Sequence, residues 1–269
     1  MKVVIFSGTH SRHLFVNKEI INHFDEVLVV IMQRENALPK FNNKLSKIDQ
    51  KLFKKHFRNR QIKENKSFGK LDYKKVFKHC KKVYVKPSQL NSKKIAELVK
   101  RFDANIAFIF GTDLILPPLI DVLPKVKINL HLGLSPWFKG SATLFWPFYL
   151  LKPQYAGITF HEINLKPDSG RIIHQSVPDL EYGDTIHDVG VKCVIEASKE
   201  IKLLINFWKK NKRFIFYKQK TSGRVWKGND FHPIHLRVIY DLFRDKIVDQ
   251  YLDGKLDTTK PKLYSCLKK

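Results

Sequence analysis

Two polar side chains in the middle of the chain have the types that acyl transfer requires. Asn129 and His131 lie two residues apart in an apolar stretch, and side chains at that spacing point to one face of a β-strand. An amide N–H can stabilise negative charge on a carbonyl oxygen, while an imidazole with an ordinary pKa of about 6.5 can transfer protons. Taken alone, His131 is more simply explained as a residue that ends a strand, so the pair needs support from its surroundings.

The elements that must position this pair follow from the apolar pattern. Short apolar runs, separated by segments with helical spacing, predict buried strands at residues 2–6, 27–32, 83–85, 104–110 and 126–131. Alternation predicts another strand at 155–163, with 171–177 as its antiparallel partner. Strands that alternate with helices predict an α/β, Rossmann-like fold, in which helices flank a mostly parallel sheet.

Helical periodicity predicts the rest of the framework. Predicted helices cover residues 14–24, 92–102 and 141–151, and the longest covers 184–210 with Asp184 as its N-cap. The Lys-rich stretch 37–71 also has a helical apolar stripe and is predicted to project from the sheet. We expect residues 1–210 to form the catalytic domain and residues 211–269 to form a small C-terminal appendage.

Several loops should meet at one edge of this sheet, because sites in open α/β proteins form beside the carboxyl ends of the strands. Residues 7–9 follow the first strand, residues 110–116 follow the middle strand, and residues 129–131 end the next one. The loop 166–170 turns back between the last two strands and carries Asp168. The sequence therefore predicts that a carboxylate approaches the amide and imidazole pair.

Three motifs in this region, taken in order along the chain, resemble the signature of the folate-dependent formyltransferases. In the first, Asn129 and His131 are followed by Pro136 and Gly140. The second is the Gly-x-Thr-x-His strand of residues 157–161, and the third is the Asp-x-Gly loop of residues 168–170. Residues 132–136 read Leu-Gly-Leu-Ser-Pro where the family usually has Pro-Ser-Leu-Leu-Pro, so the hydroxyl of this segment is displaced by two residues.

The resemblance implies a reaction and a role for each matching residue. 10-Formyltetrahydrofolate would donate a formyl group to an amine, while Asn129 stabilises the formyl oxygen, His131 acts as general acid and base, and Asp168 orients or stabilises that imidazole. His161 matches the family's supporting histidine and belongs to the expected donor site. The rest of that site is a segment similar to the family's pterin pocket: Phe110, Gly111, Thr112, Asp113, Leu114, Ile115 and Leu116. The expected acceptor site consists of Ser7, Gly8, Thr9 and Lys139.

The acceptor is the least determined part of this hypothesis. Enzymes that formylate nucleotide-linked amino sugars resemble the chain best, because they combine a similar core with a modest tail. The methionyl-tRNA enzymes carry a longer C-terminal β-barrel, and the glycinamide ribonucleotide enzymes resemble a chain that ends near the long helix. A formyltetrahydrofolate hydrolase is a further alternative, although such enzymes usually place a regulatory domain ahead of the first strand, with which this chain begins.

The charge distribution bears on possible partners. The 269 residues carry a formal net charge of +25, and residues 40–100 alone contain 20 Lys or Arg against 4 Asp or Glu. The basic residues are 40 Lys and only 10 Arg, whereas nucleic-acid recognition usually depends on Arg. A solvated Lys-rich face is therefore the favoured explanation, a polyanion-binding face is the alternative, and nucleic acid is not expected to be the substrate.

Cysteine usage and hydropathy indicate the compartment. Cys80, Cys193 and Cys266 are isolated, which predicts neither a disulfide framework nor a metal site, so no metal cofactor is expected. The chain has no signal-like segment and no apolar run long enough to span a membrane. We therefore expect a cytoplasmic protein, and a homodimer remains one of the alternatives for its oligomeric state.

Overall fold

A seven-stranded sheet forms the centre of the computed structural model, which describes residues 1–33, 45–220 and 223–267. Strands β1 to β5 pair in parallel in the order β3-β2-β1-β4-β5, and two antiparallel strands, β7 and β8, extend the sheet beyond β5. The strands of this sheet are β1 Lys2–Ser7, β2 Glu26–Met32, β3 Lys81–Val85, β4 Ile106–Phe110, β5 Lys127–His131, β7 Ile158–Glu162 and β8 Ile172–Ser176. The predicted fold class and the antiparallel pairing of residues 171–177 are confirmed.

Helices cover both faces of the sheet, which explains why its strands are continuous apolar runs. In β1, Val3 and Ile5 point into one core cluster, while Val4 and Phe6 point into a second cluster on the opposite face. The helices are α1 Ser11–Ile21, α2 Lys47–Phe68, α3 Tyr73–Val76, α4 Lys93–Phe102, α5 Trp146–Tyr149, α6 Ile186–Asn211 and α7 Ile247–Leu252. Helices α1, α2 and α6 pack against one another on the first face, and α4 covers the second. None of the helices in the described ranges is long and apolar enough to cross a membrane.

Two predicted helices differ from the observed ones at their ends. The helix predicted at 141–151 shrinks to the four residues of α5, because Ser141 N–H donates to Trp226 O of another strand and Ala142 adopts a left-handed φ of 55°. The predicted N-cap Asp184 is wrong by one residue. Thr185 caps α6 by accepting a hydrogen bond from Asp188 N–H, while the Asp184 carboxylate accepts from Glu181 N–H. Residues 37–44 of the predicted Lys-rich stretch lie outside the described residues.

The chain after α6 packs back on the sheet. Strand β9, Arg224–Trp226, pairs in parallel with β6, Phe138–Gly140, in a second, two-stranded sheet. Tyr217 and Ser265 form antiparallel bridges to residues of the edge strand β8. Four apolar side chains of this segment belong to the core cluster that contains Val3 and Ile5, namely Leu236, Ile239, Ile247 and Val248. The segment is therefore held by both backbone pairing and shared apolar burial.

Gly140 is the point at which this segment meets the loop after β5. Its φ is +90°, and a Cβ at this position would lie 2.1 Å from Trp226 O. We expect Gly140→Ala to lower the free energy of unfolding by about 2 kcal/mol or more, because it combines a left-handed side chain with a backbone clash. Urea unfolding followed by tryptophan fluorescence measures the loss.

Gly228→Ala is the matched control for this change. Gly228 lies two residues beyond Trp226, its φ is not in the left-handed region, and a Cβ there would meet no atom within 4 Å. Equal stability of the two alanine variants would contradict the structural role of Gly140.

Candidate active site

Asn129 and His131 come from the carboxyl end of β5, and the antiparallel neighbour β7 adds a second histidine beside them. In the register of β5 and β7, Asn129 faces His161 and His131 faces Thr159. The His131 and His161 ring centroids lie 6.4 Å apart. The predicted strands thus bring the three side chains to one patch at the end of the sheet.

The loop between β7 and β8 places the Asp168 carboxylate between the two histidines. Asp168 Oδ2 lies 3.4 Å from His131 Nδ1, and Oδ1 lies 3.3 Å from His161 Nε2. Gly140 N–H donates to Oδ2 at 2.7 Å. The Asp168 carboxylate therefore lies beside the Asn129 amide and the His131 imidazole, as the sequence predicts.

The conformation of this loop depends on the two motif residues Asp168 and Gly170 and on Gln219, which lies outside the motif. Asp168 has a left-handed φ of 45°, and a Cβ on Gly170 would lie 1.6 Å from Glu162 O, so this position requires glycine. Gln219, from the chain after α6, donates from Nε2 to the carbonyl oxygens of Asp168 and Gly170, at 2.8 Å each. Sequence reasoning missed Gln219, because no local pattern links a glutamine 51 residues away to this loop.

The hydrogen bonds of His131 determine which ring nitrogen can accept a proton. Its Nε2 lies 2.8 Å from the carbonyl oxygen of Phe138, which only accepts, so Nε2 carries the hydrogen and Nδ1 faces Asp168. Burial lowers the pKa of His131 below 6.5, and the charge of Asp168 only partly offsets that effect. The imidazole is therefore neutral at pH 7, with a basic Nδ1.

Asp168 stays ionised beside this neutral ring. Burial would raise the pKa of its carboxyl group, but the two neighbouring histidines and the N–H of Gly140 together hold that pKa well below its ordinary value. A carboxylate in this position favours the protonated form of the neighbouring imidazole. The pair is thus arranged to accept a proton at Nδ1 and to stabilise the resulting charge.

The amide of Asn129 has one N–H that can be redirected to a ligand. Its Nδ2 lies 3.0 Å from His161 Nε2 and 3.4 Å from Asp168 Oδ1. His161 Nδ1 donates to Glu162 O at 2.9 Å, so its Nε2 accepts from the amide. Only the longer contact, to Asp168, can be exchanged for a substrate oxygen without leaving His161 unpaired.

A cavity of about 530 Å³ opens in front of these side chains. Its wall includes Asn129, His131, His161, Asp168 and the predicted donor segment from Phe110 to Ile115. Leu116, the last residue of the predicted segment, is not part of this wall. Asn91 holds that end of the segment, because its Oδ1 accepts from Leu116 N–H at 2.8 Å and its Nδ2 donates to Leu114 O at 2.9 Å.

The residues predicted to bind the acceptor are placed differently. Ser7 is fully buried, and its hydroxyl donates to Gly8 O and accepts from Asn17 Nδ2, each at 2.7 Å. Ser7, Gly8, Thr9 and Lys139 do not line the 530 Å³ cavity or its neighbour. Arg12, three residues beyond this loop, lines both cavities.

Ser135, the displaced hydroxyl of the first motif, is also buried away from both cavities. Its N–H donates to Thr159 Oγ1 at 3.0 Å, and its carbonyl oxygen accepts from Gln175 Nε2 at 2.6 Å. The backbone of this residue therefore fastens the loop after β5 to β7 and β8.

The neighbouring cavity has a volume of about 810 Å³ and lies between α2, the start of α6 and residues 228–233. It shares Arg12, Leu132, Ser141 and Thr143 with the smaller cavity, so the two adjoin. Sequence reasoning missed it, because aromatic residues at helical spacing in α2 indicate a core stripe equally well.

Comparisons with known proteins agree with this architecture. Residues 1–204 match the sequence profile described as formyl transferase. A methionyl-tRNA formyltransferase from Borrelia hermsii (strain HS1 / DAH) is 30% identical over 104 residues, which are 38% of this chain and 33% of that relative. The match therefore spans about a third of the curated relative's length.

Two solved structures share the fold. An N-formyltransferase from Helicobacter canadensis, in complex with folinic acid and dTDP-3-aminofucose, superposes with a TM-score of 0.56 at 19% identity, covering 90% of this chain and 82% of that chain. A phosphoribosylglycinamide formyltransferase from Bacillus halodurans superposes with a TM-score of 0.54 at 16% identity, covering 79% and 97%. At such identities the likeness shows the fold alone.

The proton affinity of His131 tests the geometry of the site directly. We expect the His131 imidazole to titrate below pH 6.5, because burial disfavours its charged form. Asp168→Asn should lower this pKa further, since the charge that favours the imidazolium is removed. NMR titration of the histidine ring protons measures both values, with the exposed Asp121→Asn as control. An unchanged or raised pKa in Asp168→Asn would show that the carboxylate does not act on this ring.

Proposed function

Because the chain belongs to the formyl transferase family, we propose that it transfers a formyl group from 10-formyltetrahydrofolate to the primary amine of a nucleotide-linked amino sugar. The observation that carries the proposal is the convergence of Asn129, His131 and Asp168 at one end of the sheet, in front of a cavity large enough for a small ligand. These are the residue types that formyl transfer to an amine requires.

The donor segment fits a planar pterin. Residues 110–115 all line the cavity, and Phe110, Leu114 and Ile115 are its apolar members in this segment. Gly111 has a left-handed φ of +86°, and a Cβ there would lie 2.1 Å from the His13 ring, so this position favours glycine. Bound 10-formyltetrahydrofolate would supply the activated formyl group, and this segment would hold its ring beside Asn129.

The three polar residues would divide the chemistry between them. When an amine attacks the formyl carbon, negative charge develops on the oxygen and positive charge on the nitrogen. Asn129 would turn one N–H from Asp168 to that oxygen. His131 would accept the amine proton at Nδ1 and later release it to the departing nitrogen, while Asp168 stabilises the imidazolium.

This scheme requires no covalent intermediate between the enzyme and the formyl group. Cys80, Cys193 and Cys266 are buried free thiols, and burial raises the pKa of each above its ordinary value. Free thiols also support our proposal of a reducing, cytoplasmic location.

We further propose that residues 1–210 are the catalytic domain and residues 211–269 its appendage, since the three side chains that we assign to the reaction lie in the first segment.

The choice of a nucleotide-linked amino sugar rests on the second cavity. The fold is shared with enzymes that differ in acceptor, so likeness alone does not select one. An enzyme for tRNA would need an extended cationic surface, whereas a sugar nucleotide needs an enclosed cavity with a few cationic contacts. If water replaced the amine, the same site would hydrolyse the donor, and this hydrolysis is the alternative reaction.

Removing the charge of Asp168 should slow turnover strongly. Asp168→Asn keeps the size of the side chain and an oxygen for Gly140 N–H, but it no longer stabilises a protonated His131. We expect kcat for formyl transfer to fall about 100-fold or more, the usual cost of losing acid–base function. Release of tetrahydrofolate measured by absorbance gives the rate, and Asp121→Asn should retain it. Near-parental turnover of Asp168→Asn with a true acceptor would remove Asp168 from the mechanism.

The acceptor class is tested by offering several amines with 10-formyltetrahydrofolate. We expect formylation of a nucleotide-linked amino sugar, detected by mass spectrometry, and none of charged initiator tRNA or glycinamide ribonucleotide. Bulk tRNA should bind only through the Lys-rich surface, with affinity that falls about 10³- to 10⁵-fold between 50 and 200 mM salt. Robust formylation of the tRNA, or release of formate without any acceptor, would replace the sugar-nucleotide proposal with one of its alternatives.

A further inference from the structure

The 810 Å³ cavity next to the catalytic cavity has an excess of positive charge on its wall. Apart from histidines, the charged side chains among the described residues that line it are Arg12, Arg60 and Glu64. Arg12 forms an ion pair with Glu64, and Arg60 Nε lies 3.9 Å from the same carboxylate. One carboxylate thus serves two guanidinium groups, and the wall keeps a net positive charge.

This charge is poorly solvated. The side chains of Arg12, Arg60 and Glu64 retain only 22%, 27% and 12% of their exposure. Burial, and then the charge of Arg12, lowers the pKa of Arg60 to about 10. The Arg60 guanidinium also lies 4.7 Å from the centre of the Phe57 ring, which fixes its position in the wall. A partly buried cation without its own counter-ion favours binding of an anion.

Two buried histidines on the same wall reflect this positive field. Tyr240 hydroxyl contacts His56 Nδ1 at 2.9 Å and His187 Nε2 at 3.1 Å. Burial lowers the pKa of both rings, and the charges of Arg60 and Arg12 lower them further, to about 3 for His187. Both histidines are therefore neutral at pH 7, and they provide ring surface instead of charge.

Four phenylalanine rings form part of the remaining wall, beside aliphatic and small polar residues. Rings from α2, from the start of α5 and from the chain after β9 surround the cavity, namely Phe53, Phe57, Phe145 and Phe231. Phe231 is half-buried and makes an edge contact with Phe145, with ring centroids 4.9 Å apart. Such a wall suits a planar ring, because aromatic rings pack favourably edge to face or offset.

We propose that this cavity binds the unreactive part of the acceptor as a nucleoside diphosphate, with the diphosphate against Arg12 and Arg60 and the base among the aromatic rings. Guanidinium groups bind phosphoryl oxygens in a bidentate geometry. The wall shared by the two cavities, at Arg12, Ser141 and Thr143, is where the attached amine crosses to Asp168 and His131. Naming this ligand as the acceptor rests on the proposed function, whereas the anion site itself does not.

The test measures binding of thymidine diphosphate and of inorganic pyrophosphate to the full chain by calorimetry, with folinic acid present throughout. We expect Arg60→Gln to weaken binding of both probes about tenfold or more, because a charge-assisted contact is lost. Arg58→Gln, an exposed change on the same helix, should alter binding less than twofold. Equal effects of the two variants would overturn the proposal.

Glu64→Gln provides a change of opposite sign, which guards against loss of folding in Arg60→Gln. Removing the shared carboxylate should tighten pyrophosphate binding about threefold or more, since neither guanidinium is then neutralised. A folded Glu64→Gln variant, checked by thermal unfolding, that binds pyrophosphate no more tightly than the parent would overturn the anion site.

Phe231→Ala tests the aromatic part. The parent should bind thymidine diphosphate about tenfold or more tightly than pyrophosphate, and the variant should lose most of that preference. A parent without the preference would refute the base-binding role.

The experiment separates failure of this inference from failure of the proposed function. Formyl transfer without measurable binding of either probe at 1 mM would overturn the site and leave the reaction standing. Arg60-dependent binding in a chain that neither binds folinic acid nor transfers formyl would support the site and overturn the reaction.

Discussion

The ionised carboxylate of Asp168 joins groups from three separate segments of the chain, and the geometry of the site depends on it. It contacts His131 at the end of β5 and His161 on β7, and it accepts the N–H of Gly140 in β6. A carboxylate this deeply buried is stable only when such partners replace water. The carboxylate also lies against His131 Nδ1 and offsets part of the effect of burial, which lowers the pKa of that imidazole.

Two further constraints keep that carboxylate in place. Gly140 donates to Asp168 and also packs against the backbone of Trp226, so the chain after α6 is connected to the catalytic loop. Trp226 stacks on Trp146 with ring centroids 3.9 Å apart and an interplanar angle of 13°. Gln219 adds two hydrogen bonds to the carbonyl oxygens of the loop. The C-terminal segment therefore takes part in the site, although it supplies none of the reacting groups.

The two cavities differ in the way their walls could recognise a ligand. The smaller one places the apolar residues Phe110, Leu114 and Ile115 beside the polar triplet, which suits a planar donor. The larger one presents aromatic rings and a shared arginine pair, which suits a charged acceptor. The anion site that we propose uses two partly buried arginines, Arg12 and Arg60, and no lysine among the described residues lines this larger cavity.

The sequence by itself determined the features that depend on neighbouring residues. Continuous apolar runs require burial on both faces, so the parallel strands and their helices could be predicted, and period-two spacing put Asn129 and His131 on one face. The match of three motifs added Asp168 to that pair. Local rules failed at the start of α6, where Thr185 caps the helix and the Asp184 carboxylate accepts from Glu181 N–H instead.

Only the tertiary structure decided which distant groups meet. Gln219 reaches the Asp168 loop, Trp226 O takes the N–H of Ser141 and so shortens α5, and the larger cavity joins α2 to α6 and residues 228–233. None of these contacts has a local signal, because hydrophobic periodicity reports which face is buried and not what is buried against it. The larger cavity arises from segments more than 100 residues apart, and its charge balance depends on the fold, which brings Arg12 to the neighbouring pair Arg60 and Glu64 of α2.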